Sequence, residues 1–279
     1  MKERVVFQDF NTLWAQQVAA SEAPRMKDDQ EEQEFWRRFM ARKEGYAPDP
    51  SSRPVAAALL EQMARSGVET ALEFGPGWGN YTIDLARACH QIACVDISQD
   101  VLDFIIKLST EQGFQNITTY HSKWEEFSSS QPYDLVFGYN CFYRQADLRA
   151  CFARMDRYAR KLCVAGMSTG LAPQWGHDLD TAGFNVSWEW KDYIYFVGVL
   201  YQMGIDPDVK ILPFTKEFVY PNEEALVQGE CSRLKLDGRR AEEIRDILLR
   251  SFRRRADGSL RAEAHYRGAL ISWVPIHRC

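Results

Sequence analysis

Residues 71–86 read A-L-E-F-G-P-G-W-G-N-Y-T-I-D-L-A. An apolar run ends in Glu73-Phe74, glycines follow at Gly75, Gly77 and Gly79, and an amphipathic segment begins at once. Glycine takes the positive φ that a sharp strand-to-helix turn demands, and its missing side chain lets the backbone come close to a ligand. The helix start behind such a turn presents unpaired N–H groups, suited to a carboxylate or a phosphate. Downstream, QIACVDI ends a second apolar run in Asp96 and Ile97. An acid at that place, about twenty residues after the first glycine, can accept hydrogen bonds from both hydroxyls of a ribose. Together the turn and the acid predict a nucleoside-binding site.

The same alternation extends in both directions. Ser98 is an N-cap for SQDVLDFIIKLSTEQG, whose Val101, Leu102, Ile105 and Leu108 share a helical face before Gly113 closes it. ITTYHS and YDLVFGY read as third and fourth strands, DLRACFARMDRYAR as a helix and KLCVAGM as a fifth strand. On the N-terminal side, PVAAALLEQMARSG places Val55, Ala58, Leu59 and Met63 on one face, with Pro54 tolerated in the first turn and Gly67 ending it. Strand–helix–strand repeats of this kind form a parallel sheet with helices on both faces, and ligands lie at the carboxyl ends of its strands.

Residues 1–50 are polar and helix-prone and are expected to form an N-terminal helical extension to a domain spanning 51–279. After Gly170 the alternation stops for about forty residues rich in aromatics, a length that implies function or a helix of its own. We expect residues 170–212 to be an inserted cap with a helix from about Asp192 to Met203, followed by FTKEFVY as a strand, two helical stretches to Arg255, and AHYRGALISWV as the last strand.

Which nucleoside is bound turns on the third glycine. A dinucleotide turn of the G-x-G-x-x-G type would need glycine where Asn80 stands; here the pattern is G-x-G-x-G. E-F-G-P-G-W-G-N-Y resembles the first motif of class I S-adenosylmethionine-dependent methyltransferases, and the strands after it agree over about residues 55–170. The resemblance implies a doubly wound α/β fold with a seven-stranded, mostly parallel sheet in the order 3-2-1-4-5-7-6, strand 7 antiparallel. It also implies S-adenosylmethionine as cofactor and S-adenosylhomocysteine as product. Carried over by position, Glu73, Gly75, Gly77 and Gly79 surround the methionine moiety, and Asp96 with Ile97 holds the ribose and one face of the adenine. His121, Ser122, Lys123 and Trp124 fall where the family contacts adenine, without the acid many members carry near Ser122. YDLVFGYNCFYR resembles the fourth-strand motif facing donor methyl and acceptor, making Tyr139, Asn140 and Tyr143 candidates for catalysis and Tyr139 also for cofactor contact.

In-line transfer from a sulfonium needs no catalytic nucleophile, and a neutral amine needs no base, whereas a hydroxyl or acidic carbon gains from one. Candidate bases are His121, His177 beside Asp178, Tyr139 and Tyr143. Trp36, Trp175, Trp188 and Tyr193 are candidate substrate contacts, the aromatic supply an enclosed pocket draws on; packing of the additions onto the domain is the competing use of such side chains. The net charge of −5 gives no general attraction for polyanions, and the FRRR run at 252–255 shares its helix with Glu242, Glu243 and Asp246. The seven cysteines include no C-x-x-C pair and no histidine stands at zinc-ligand spacing, so no metal site is expected. No run approaches the roughly 18 apolar residues of a membrane span, and the N-terminus lacks signal-peptide order, which together predict a cytoplasmic protein. The expected function is methyl transfer to a small molecule. An RNA or protein methyltransferase and a non-catalytic cofactor-binding scaffold remain as alternatives.

Overall fold

The computed structural model describes residues 8–276 except 22, 44, 170–172, 187–191 and 238. In chain order the elements are α1 (Phe10–Ala19), α2 (Asp29–Ala41), α3 (Arg53–Arg65), β1 (Thr70–Phe74), α4 (Thr82–Ala88), β2 (Gln91–Asp96), α5 (Gln99–Glu111), β3 (Ile117–His121) and β4 (Tyr133–Tyr139). They continue with α6 (Leu148–Tyr158), β5 (Ala159–Thr169), α7 (Gln174–Thr181), α8 (Ile194–Gln202), β6 (Asp208–Tyr220), α9 (Glu223–Leu234), α10 (Ala241–Ser251), β7 (Arg253–Arg254) and β8 (Leu260–Trp273).

Helix starts follow the capping residues. Ser98 Oγ accepts from the Val101 N–H, Asp28 accepts from the N–H groups of Gln30 and Glu31, and Asp147 from that of Ala150. The strands order as β3-β2-β1-β4-β5-β8-β6, with β7 paired to β8. The two-residue β7 raises the count to eight, so β8 is the expected seventh strand, and the order is the one predicted. Pairing is parallel from β3 through β5. The helix expected to run to Arg160 stops at Tyr158, because Arg160 binds Asp134 and Thr70 and is drawn into β5.

By compactness the chain divides into two units, one of Met1–Ser168, Lys191–Leu212 and Ala269–Cys279, the other of Thr169–Trp190 and Pro213–Gly268. The segment 170–212 is therefore shared between them. In the first unit, successive strand residues feed two apolar layers. Leu72, Phe74, Ala93, Val95 and Val136 pack on one side with Trp14, Phe152 and Phe196; Ala71, Ile92, Cys94, Leu135 and Phe137 pack on the other with Leu59, Leu85 and Ile105. Period-two alternation with both faces buried is what a doubly wound sheet requires.

The second unit has its own core, including Trp175, Leu179, Phe218, Leu226, Leu248 and Phe252. Glu230 is buried in it, accepting from Trp175 Nε1 and Tyr220 OH at 2.7 Å each and from Arg233.

Candidate functional site

The floor of the site is the β1–α4 turn. Gly75, Gly77 and Gly79 have φ of 65°, 54° and 83°, all left-handed. Gly75 is the most constrained: a Cβ there would stand 2.4 Å from Cys141 Cβ, the residue two positions beyond β4. The turn is thus locked against the end of the neighbouring strand by the absence of a side chain. Glu73, 1% exposed, accepts from Thr82 Oγ1 at 2.7 Å and braces the helix start from below. Burial pushes its carboxyl up to about 7.

Asp96 ends β2 and is 7% exposed. It accepts from the backbone N–H groups of Ser98, at 2.8 Å, and Ile97. Burial first, and the nearby Glu32 carboxylate after it, push it up to about 7. A near-buried carboxylate with two backbone donors still has lone pairs to satisfy, and two ribose hydroxyls are chemically suited to them. Ile97 is half-buried, and its carbonyl meets His121 Nε2 at 2.8 Å. Ser122 donates its N–H to the Asp96 carbonyl, and its hydroxyl to that of Lys123. Trp124 packs into the core, its ring stacked on Phe74 at 4.3 Å.

The N-terminal extension lies over this floor. Trp36 of α2 stands 3.3 Å from where a Gly77 Cβ would be, and Trp36 and Phe39 flank Trp78 with ring centroids 6.4 and 5.1 Å away. Tyr46 OH donates to the Gly79 carbonyl, and Asn80 Oδ1 accepts from the Asp49 N–H. Glu32, 1% exposed, is the keystone. It accepts from Arg25 Nε (2.8 Å) and Nη2 (3.0 Å), Trp36 Nε1 (2.7 Å) and Tyr143 OH (2.5 Å), while the Arg25 guanidinium sits 3.5 Å from the centroid of Phe35. Asp29 opens α2 and pairs with both Lys123, after β3, and Arg144, after β4. The helix is therefore pinned across the carboxyl ends of both strands.

At the end of β4, Tyr139 is buried and its phenol is pushed up to about 12 by that burial. Tyr143 is also raised, by burial and by Glu32. Both phenols stay protonated at neutral pH. Asn140 takes a left-handed backbone (φ 55°), and its amide engages Ser168 of β5 twice.

Glu73, the three glycines, Asp96, Ile97, Ser122, Lys123, Tyr139, Asn140, Tyr143 and Trp36 thus gather in the first unit around the carboxyl ends of β1–β4. Tyr193 begins α8 in the same unit and packs on its core. Trp175 belongs to the core of the second unit and His177 is exposed on α7 there. Trp188 lies outside the described residues. Sequence reasoning did not single out Arg25, Asp29, Glu32 or Ser168. For Glu32 and Asp29 the only signal was an acidic run, which reads equally well as a solvated helix face.

A family profile described as "Methyltransferase domain" matches residues 71–161. An uncharacterized protein of Haemophilus influenzae is 24% identical over 163 residues, covering 55% of this chain and 57% of that protein, so the chain matches little more than half its length. Among solved structures, the YcgJ protein of Bacillus subtilis superimposes with TM-score 0.53 at 10% identity, over 80% of this chain and 98% of that one. A magnesium protoporphyrin IX methyltransferase of Synechocystis, solved with bound S-adenosylhomocysteine, gives 0.51 at 12% identity over 89% and 100%. At these identities the two structures establish the fold.

Proposed function

We propose that this chain is a class I S-adenosylmethionine-dependent methyltransferase that methylates a small-molecule acceptor; the match of residues 71–161 to a methyltransferase domain supports the first part. The observation that carries this reading is the aromatic roof: Trp36 and Phe39 of α2 pack over Gly77 and Trp78 of the glycine-rich turn, and Asp29 and Glu32 fasten that roof to the loops after β3 and β4. Enclosure suits a metabolite, whereas a polymer needs an open, basic track. The arginines at the end of α10 do not supply one. Arg254 pairs with Glu223, and Arg255 and Arg261 both pair with Glu217.

In the bound state Asp96 would hold the ribose, the Gly75–Gly79 backbone the methionine moiety, and Ile97 with Ser122 the adenine. The cofactor supplies an activated methyl group. Its transfer to an acceptor would be an in-line displacement with sulfur as the leaving group. What this chain's residues contribute is placement and exclusion of water, the terms by which such a displacement is accelerated without a covalent intermediate.

Calorimetric titration with S-adenosylmethionine, S-adenosylhomocysteine and NAD checks the cofactor; saturable heat with only the first two is expected. Incubation with methyl-labelled S-adenosylmethionine and separate metabolite, RNA and protein fractions then tests the acceptor class. Label entering the metabolite fraction supports the proposal, and label confined to RNA or protein overturns it.

A further inference from the structure

Strand β4 is buried throughout, and β5 is buried from Leu162 to Met167. Asn140 and Ser168, the residues that follow, are exposed. These two polar residues surface side by side and are joined. Asn140 Nδ2 donates to Ser168 Oγ at 3.0 Å, the Ser168 N–H donates to Asn140 Oδ1 at 2.7 Å, and the Asn140 N–H bonds the Gly166 carbonyl at 2.9 Å. Tyr139 OH lies 3.5 Å from Ser168 Oγ. The next residue, Cys141, is the one packed against Gly75, so the pair stands one residue from the turn that takes the donor.

Asn140 holds this geometry at φ 55°, in the left-handed region that asparagine enters more readily than other side-chain-bearing residues. The bonding pattern also fixes what Ser168 can do. Its oxygen accepts from Asn140, and Tyr139 OH engages either its second lone pair or its proton, which leaves one hydrogen-bonding position of the hydroxyl for another group.

Building on the methyltransferase reading above, we propose that Ser168 contacts the group at the transferring methyl position, and that Asn140 is the positioning residue that presents it. The ligand chemistry it suits is a polar N–H or O–H group next to the methyl, as on an amine or hydroxyl acceptor.

The test needs no knowledge of the acceptor. Sinefungin is the S-adenosylmethionine analogue in which an amine-bearing carbon replaces the sulfonium and its methyl, while S-adenosylhomocysteine has nothing at that place. Loss of one charge-assisted hydrogen bond corresponds to about tenfold in affinity. In Ser168→Ala we therefore expect sinefungin to bind about tenfold more weakly and S-adenosylhomocysteine to stay within about twofold. Asn140→Gly deletes both side-chain hydrogen bonds to Ser168 while keeping the left-handed backbone accessible, and it should show the same selective loss for sinefungin. Parallel changes for both ligands, or none, in Ser168→Ala would overturn the assignment of Ser168. A folded Asn140→Gly variant that keeps the parental ratio would make Asn140 purely structural and overturn its positioning role. If the parent protein binds neither compound, the cofactor reading itself fails and takes this proposal with it; binding with an unchanged ratio sinks only the proposal.

Discussion

The floor and the roof of the site each hold a buried carboxylate, and the two are handled in opposite ways. On the floor, Asp96 has only backbone donors and is pushed up to about 7, so near neutrality it is poised between charged and neutral forms. In the roof, Glu32 has four hydrogen bonds, two of them from the Arg25 guanidinium beside it. A charge that is fully paired is a structural device, and a charge left short of partners is one prepared for a ligand. The comparison separates two jobs in a few cubic nanometres or less of protein: Glu32 holds the enclosure together, Asp96 waits for what is enclosed.

The hardest blow to the floor is Gly75→Ala. The new methyl would meet Cys141 Cβ at 2.4 Å in a left-handed backbone. We expect a loss of about 3 kcal/mol or more in urea unfolding, since overpacking and strain add. A cost under about 1 kcal/mol would mean that the β4 end yields easily and the turn is not locked.

Against the roof, Glu32→Ala leaves Arg25 without its carboxylate. Breaking a buried pair costs about 3–5 kcal/mol, reduced here to about 2 because the arginine is 27% exposed. Adding Arg25→Ala should restore part of that loss, because the uncompensated charge is then gone. A double variant no better than the single would assign the cost to lost packing of Trp36 and Tyr143 instead.

Asp96→Ala should behave in the contrary way, leaving the melting temperature unchanged or higher while S-adenosylmethionine affinity falls about 100-fold or more, the equivalent of two hydrogen bonds to a charged group. Unchanged affinity in a folded variant would remove Asp96 from the ribose.

The smallest effect is a slope. Glu73 and Asp96 both titrate near 7 when folded against ordinary values of 4.5 and 3.8, so the folded chain keeps protons the unfolded chain has lost. Their contribution to stability is full below pH 4 and declines as pH rises to about 7, by up to about 1.4 kcal/mol per pH unit for each group. Asp96→Asn should flatten that fall in ligand-free protein. S-adenosylmethionine binding to the parent should tighten over the same range as Asp96 ionises. A variant with the parental slope between pH 5 and 7 would show that Asp96 is not among the groups holding a proton.

Floor and roof also differ in how far they could be read beforehand. Gly75, Gly77, Gly79 and Asp96 announce themselves because the constraint is local: a turn of that sharpness needs positive φ, and an acid at a strand end has one place to point. Glu32 and Tyr143 are 111 positions apart, and nothing near either one indicates the other. Trp124 shows the limit from the other side. Its place after β3 followed from strand order, but its stacking on Phe74 depends on which of two sheet faces offered space.

By itself the sequence determined the succession of strands and helices, the glycine-rich turn and the acid that answers it, because strand and helix periods and backbone sterics act over a few residues; the order of the strands in the sheet came with the family resemblance. The tertiary structure alone decided that the extension roofs the turn, that Asp29 and Glu32 fasten it, and that Asn140 is hydrogen-bonded to Ser168. Those are contacts between side chains distant in the chain, and a hydrogen bond or ion pair has no sequence period from which its partner can be read.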